Sequence, residues 1–260
     1  MSTQTQRRTG GLFTEEHRTV PLGTWLKAAA AEPVEIMAWA GFDFVVVDLE
    51  HAPLGLETAY RLSSSATARG MVPLVRVPEI NPSLVQKLLD AGAGGILFPH
   101  VDTVEQAAAA GRACRFPPHG TRGSGGTSKA GLWGALPTAA YRTTGNDQVL
   151  CIVQLESEQA VHAAAEMLAL DQVDAVFVGA ADLALSMGLP AGAPAVTALT
   201  QHVLDAAQAA GKPCGLAFGS VPDKAAAAAR AGAGFLVVAN DLSLLAEAAR
   251  GLVEALDERR

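Results

Sequence analysis

Short apolar runs rich in Val, Ile and Phe alternate along this chain with longer stretches whose apolar positions recur at helical spacing. The runs suit strands buried on both faces, as in a parallel sheet, and the stretches between them suit helices with one apolar side. Strands are predicted at 19–25, 44–48, 72–77, 95–98, 148–155, 175–178, 214–218 and 235–238. Helices are predicted at 34–40, 56–69, 84–91, 104–114, 158–168, across a longer region that includes 195–210, at 222–231 and at 242–256. Pro33 is placed to start the first helix, and Gly70 and Gly92 to stop the second and third. Eight strand–helix repeats close a count that an open doubly wound sheet would leave open. The expectation is an α/β fold, a single-domain (β/α)8 TIM barrel over 19–260, preceded by a polar arm or short helix at 1–18.

One stretch breaks the alternation. Residues 115–147 are rich in Gly, Pro and Thr and too long for an ordinary connection, and connections of that length are usually functional. Gly123-Ser124-Gly125-Gly126 has neither a strand directly before it nor a Gly-Lys-Ser/Thr after it, so a phosphate cradle is disfavoured against a loop at an active site or an interface.

Composition narrows the partners. With 260 residues, 50% of them hydrophobic, the chain can bury one large core. A formal net charge of -7 with no basic tract beyond Arg7-Arg8 and Arg259-Arg260 argues against nucleic acid and anionic membranes. No secretory h-region opens the sequence, and no apolar run is long enough to span a bilayer. Cys114, Cys151 and Cys214 lack metal-ligand spacing and fit a reducing, cytoplasmic setting as buried apolar side chains.

The chemistry should sit where strands run out at their C-terminal ends. Those ends carry Asp48, Glu50 and His51 after strand two, Arg76 after strand three, and Pro99-His100 after strand four. Gln154 and Glu156 follow strand five, Gly179-Ala180-Ala181-Asp182 strand six, and Asn240-Asp241 strand eight. Glu156 and Asp182, on neighbouring strands, offer hard oxygens suited to Mg²⁺ or Mn²⁺; taken singly they could also be a helix N-terminal charge and a helix N-cap. Arg76 suits a carboxylate or oxyanion, or an ion pair at the rim. No lysine, Lys27 included, clearly occupies a strand facing the mouth, which disfavours Schiff-base chemistry.

These segments together resemble the HpcH/HpaI aldolases. The resemblance runs from about Gly23 to Leu245 through Gly-Phe-Asp-Phe-Val-Val-Val-Asp-Leu-Glu-His-Ala-Pro at 41–53, Val-Arg-Val-Pro at 75–78 and Leu-Leu-Asp-Ala-Gly-Ala at 88–93. It continues through Phe-Pro-Pro-His-Gly-Thr-Arg-Gly at 116–123, Gln-Leu-Glu at 154–156 and Gly-Ala-Ala-Asp-Leu-Ala at 179–184. The resemblance implies a class II aldolase using a divalent metal (Mg²⁺, or Mn²⁺ or Co²⁺) to cleave a 4-hydroxy-2-oxo acid into pyruvate and an aldehyde. It implies Glu156 and Asp182 as metal ligands, His51 with Asp48 as the base-positioning pair, and Arg76 as the oxyanion partner. Gln154 would line the site, and the backbone of Gly179, Ala180 and Ala181 would receive the pyruvate carboxylate. It further implies a homo-oligomer, a hexamer built as a trimer of dimers, in which Asp90 reaches a neighbour's site and the last helix packs on a neighbour. His100 and the segment 127–135 depart from the family pattern, which leaves substrate choice open. Two alternatives remain: an acyl-CoA lyase of the malyl- or citramalyl-CoA type, needing a basic surface for which Arg115 and Arg122 are the candidates, and a catalytically silent scaffold, expected to have lost one of Glu156, Asp182 or Arg76.

Overall fold

A computed structural model describes residues 12–13, 20–190 and 192–258. Eight parallel strands close on themselves in sequence order: β1 (Leu22–Leu26), β2 (Phe44–Asp48), β3 (Val72–Arg76), β4 (Gly95–Phe98), β5 (Leu150–Leu155), β6 (Ala175–Val178), β7 (Cys214–Phe218) and β8 (Phe235–Asn240). The helices that cover them include α1 (Glu32–Ala40), α2 (Leu56–Ala68), α3 (Pro82–Asp90) and α4 (Val104–Cys114). After these come α5 (Thr138–Asp147), α6 (Glu158–His162), α7 (Ala164–Leu168), α8 (Ala180–Ser186), α9 (Pro194–Ala210), α10 (Pro222–Arg230) and α11 (Asp241–Asp257). This is the (β/α)8 barrel that the alternation predicts.

Side chains alternate along each strand, so each strand divides between two cores. Val45, Val47, Val75, Ile96, Val153 and Val176 point outward into the layer of helices. Phe44, Val46, Leu74, Leu97, Ile152, Phe177, Phe235 and Val237 fill the barrel interior. Continued toward the C-terminal end, the same inward series brings Asp48 after Phe44 and Val46, Arg76 after Leu74, and Gln154 after Leu150 and Ile152. Glu156 follows Gln154 at the same parity. The polar side chains therefore cap a stack of apolar ones.

Several boundaries differ from the sequence reading. The first strand begins at Leu22 rather than residue 19, and the helix expected over 158–168 breaks at Ala163 into α6 and α7. The stretch 115–147 is not all loop: it holds a short 3-10 turn (Lys129–Gly134) and then α5, whose Thr- and Gly-containing sequence has weak helix propensity. Topology also places that excursion. It leaves the end of α4 and enters the start of β5, so it belongs to the N-terminal end of the barrel, away from this chain's own mouth. The arm expected over 1–18 lies outside the described residues except at Leu12 and Phe13. These two are not a polar tail: Leu12 is fully buried in the barrel interior, and the Phe13 ring rests 5.5 Å from that of Phe235.

Arg115, at the end of α4, is fully buried. Its guanidinium pairs with Asp174 and donates to Val149 O at 2.8 Å, while Asp174 accepts the Cys151 N–H at 2.7 Å. Arg115→Met takes the guanidinium away from a buried carboxylate and should cost about 3–5 kcal/mol in urea unfolding. A loss below about 1 kcal/mol, the range of an exposed pair, would show that the pair does not hold the floor together.

Candidate active site

At the C-terminal mouth the register of β2 on β3 sets Asp48 opposite Arg76. Both are buried, and they meet as a two-pronged pair: Arg76 Nε donates to Asp48 Oδ1 at 3.0 Å and Nη2 to Oδ2 at 2.8 Å. Such a fork fixes the plane of the guanidinium. Trp25 on β1 supports it from one side, with the Arg76 carbon 4.2 Å from the indole centroid. The Lys27 ammonium approaches Asp48 Oδ2 at 3.1 Å, and the Glu50 and His51 N–H groups donate to Oδ1 at 3.2 and 3.1 Å. Burial pushes the Asp48 carboxyl up, but Arg76, the His51 N–H and Lys27 together outweigh it and hold the group below its ordinary value.

Lys27 lies past the first strand, as the sequence reading has it, but from there its ammonium reaches the mouth at Asp48. Between Asp48 and His51 the contact is the main-chain N–H of His51 to Asp48 Oδ1. The His51 imidazole itself is largely exposed and lies nearest Glu50, with Nε2 3.6 Å from Oε2.

Glu50 and His100, noted in the sequence at their strand ends but given no catalytic role there, join the cluster. Glu50 Oε2 stands 2.9 Å from Arg76 Nη1, yet it has no aligned hydrogen-bond donor. His100 has a left-handed backbone, φ 54°, which turns its imidazole back over the mouth. Nε2 lies 2.9 Å from Glu50 Oε1 and Nδ1 lies 2.9 Å from Glu156 Oε2, which also accepts the His100 N–H at 3.0 Å. The signals available were the acidic residue one place before His51 and an imidazole directly after a strand-end proline.

Across the mouth, Gln154 Nε2 donates to Glu156 Oε1 at 2.5 Å, leaving Gln154 Oε1 buried with no hydrogen-bond partner. Gly179 makes this arrangement fit, since a Cβ there would stand 2.8 Å from both Cγ and Oε1 of Glu156. Asp182 follows one turn into α8 and is half-buried. Burial raises the Glu156 carboxyl above its ordinary value; His100 opposes the rise, and the charges of Asp182 and Glu50 add to it. Glu156 and Asp182 are therefore close enough for the charge of one to act on the other. Among the described residues no three His, Cys, Asp or Glu side chains converge as a ready-made metal cage.

Asp90 is not brought to this mouth. It ends α3, at the other end of the barrel, where Oδ1 accepts from Arg122 Nη2 at 2.8 Å and from the Tyr141 hydroxyl at 3.0 Å.

A closed parallel barrel with ionisable side chains gathered at the C-terminal ends of its strands is the architecture of a TIM-barrel enzyme. The family model for HpcH/HpaI aldolase/citrate lyase matches residues 22–248, and the chain belongs to that family. It is 40% identical over 230 residues to a 4-hydroxy-2-oxovalerate aldolase of Rhodococcus jostii, covering 87% of each chain. It is 39% identical over 230 residues to a hydroxypyruvate/pyruvate aldolase of Chromohalobacter salexigens, covering 87% of this chain and 89% of that one. The crystal structure of a family protein from Burkholderia cenocepacia superposes with a TM-score of 0.85 at 35% identity, covering 92% of this chain and 95% of the other.

Proposed function

We propose that this protein is a class II aldolase, a carbon–carbon lyase that reversibly cleaves a 4-hydroxy-2-oxo acid into pyruvate and an aldehyde. The observation that carries the reading is the charge arrangement of the mouth. Asp48, Glu50 and the raised carboxyl of Glu156 gather within ion-pair reach of Arg76, Lys27 and His100, with Asp182 close enough to act on Glu156. Four carboxylates against two permanent cations leave room for a divalent ion. Glu156 and Asp182 are the hard-oxygen donors that suit one, and the unsatisfied oxygens of Glu50 and Gln154 lie at the same mouth. The residues therefore fit Mg²⁺, or Mn²⁺ or Co²⁺, which when bound supplies Lewis acidity toward the keto group.

The chain's own groups do the rest. The N–H groups of Ala180 and Ala181, in the first turn of α8, have no partner inside the helix and, with the Gly179 backbone, would receive the substrate carboxylate. His51, reached by solvent, takes the proton of the 4-hydroxyl group directly or through water. Asp48 holds the turn that carries His51 and fixes Arg76. As the bond between carbons 3 and 4 breaks, its electron pair moves onto the enolate oxygen, where Arg76 balances the charge. Protonation at carbon 3 then gives pyruvate, and Gln154 keeps Glu156 in place throughout.

The assembly is a homo-oligomer, a trimer of dimers, in which Asp90 serves a neighbouring mouth. α11 buries only Asp241 and leaves Leu242, Leu245, Leu252, Val253 and Leu256 exposed, an apolar face suited to a second copy. Three free, buried cysteines accord with a cytoplasmic setting, and among the described residues no helix is long and apolar enough to cross a membrane.

Pyruvate release followed with lactate dehydrogenase, over a panel of 4-hydroxy-2-oxo acids and CoA esters with and without Mg²⁺, tests the reading. Turnover of a hydroxy oxo acid that disappears on chelation is expected. Full activity after chelation, or turnover of CoA esters alone, would refute it. The acyl-CoA alternative has lost its footing, because Arg115 and Arg122 are buried in ion pairs rather than offered to phosphates.

A further inference from the structure

Beyond the reacting bond, the substrate's aldehyde portion needs somewhere to lie. Over β2–β5 the mouth is filled by the chain of contacts from Arg76 through Glu50 and His100 to Glu156. On the opposite side, over the ends of β7, β8 and β1, a cavity of about 360 Å³ opens. Its walls include Trp25, Lys27, Arg76, Phe218, Ser243 and Glu247, so it shares Arg76 with the catalytic centre. The volume falls within the usual range of small-molecule sites, about 300–1,000 Å³.

The first turns of α11 are fixed against this cavity. Asn240 caps the helix reciprocally with Ser243. The buried Asp241 carboxylate accepts the Lys27 N–H at 2.9 Å and the Ala28 N–H at 2.9 Å, which ties the helix start to the end of β1. Glu247, a little beyond one turn further on, is thereby held in the wall of the cavity that Lys27 and Arg76 also line.

The charges on that wall decide what can enter. Lys27 and Arg76 already face Asp48 and Glu50, so their charges are balanced and the wall has no excess of positive charge to draw an acidic tail. Glu247 adds a carboxylate of its own. An anionic tail would meet repulsion, whereas hydroxyl groups can donate to Glu247 while Trp25 and Phe218 cover the carbon skeleton.

We propose that this cavity is the aldehyde subsite and that Glu247 is a specificity-determining residue selecting uncharged, hydroxyl-bearing aldehydes over anionic ones. The proposal rests on the aldolase reading above and adds the substrate class.

Synthesis from pyruvate with Mg²⁺ tests it, using glyceraldehyde, propanal and succinic semialdehyde as acceptors. Glyceraldehyde should exceed the other two in kcat/KM by about tenfold or more, as expected when a site is built to bond a hydroxyl. Glu247→Ala, an exposed position whose change leaves the fold intact, should erase most of that advantage through the aldehyde KM, and Glu247→Lys should raise kcat/KM for succinic semialdehyde. Unaltered preferences in both variants, or a wild-type preference for the semialdehyde, would overturn the proposal. Deuterium exchange into the methyl group of pyruvate alone, on the unaltered enzyme, reports enolate formation without any aldehyde. Its absence would sink the aldolase reading and this subsite with it, whereas exchange with unaltered preferences would sink the subsite only.

Discussion

Glu156→Gln will lower turnover by about a thousandfold or more while leaving the fold at least as stable. Lewis-acid stabilisation by a bound metal is worth several kcal/mol, and about 4 kcal/mol corresponds to a thousandfold. The substitution keeps the shape of the side chain and an oxygen to accept the His100 N–H. Its amide NH2 can donate to Gln154 once that side chain turns its unpartnered oxygen round, and the charge that Asp182 opposes is removed. Because burial raises the Glu156 carboxyl, its ionised form works against folding at neutral pH. A neutral amide therefore should not lower the thermal midpoint, and calorimetry separates this loss of function from unfolding. Divalent-ion binding measured by titration should weaken in parallel. Undiminished turnover, or unchanged ion affinity, would take Glu156 out of the metal site.

Arg76→Ala should be costly twice. Removing a donor to a developing oxyanion costs about 3–4 kcal/mol in other enzymes, so turnover should fall by at least about a hundredfold. It also deprives the fully buried Asp48, together with Glu50, of its guanidinium, and breaking such a pair costs about 3–5 kcal/mol of stability. The pH dependence should invert as well. In the native protein Asp48 is held low, so its stabilisation is present above the unfolded carboxylate value, about 3.9, and is lost as pH falls through the lower folded value. Without Arg76 the burial effect dominates, the folded value rises, and acidification then favours the folded variant at this residue. Arg76→Lys keeps a charge but not the fork, so it should restore stability more than turnover. Near-native turnover in Arg76→Ala would remove the residue from the mechanism.

Much of this architecture could be read from residue order. The strands at 44–48, 95–98, 175–178 and 214–218 fall where their apolar runs begin and end, because a strand packed on both sides tolerates few polar residues. Period-two alternation then carries Asp48, Arg76 and Gln154 inward without further information. What could not be read depends on three-dimensional neighbours. Lys27 lies one place beyond β1, and only the β1–β2 register, which pairs Leu26 with Val47, sets it beside Asp48. His100 is aimed by a left-handed backbone at a non-glycine residue, a conformation that sequence rarely betrays. His51 and Asp48 do stand together, but through an N–H rather than an imidazole. Three positions of separation cannot tell those apart. α5 was hidden for a simpler reason: Tyr141 and Phe116 stack at 5.1 Å, and that packing overrides a weak local preference.

Leu12 and Phe13 carry an implication for how the molecule is born. The residues that seat them include Phe235, on the final strand, so the bed they lie in is absent until nearly the whole polypeptide has been made. Chains emerge from the ribosome N-terminus first, and contacts between distant positions form slowly. This apolar pair must therefore wait, unhoused, for the barrel to be finished above it.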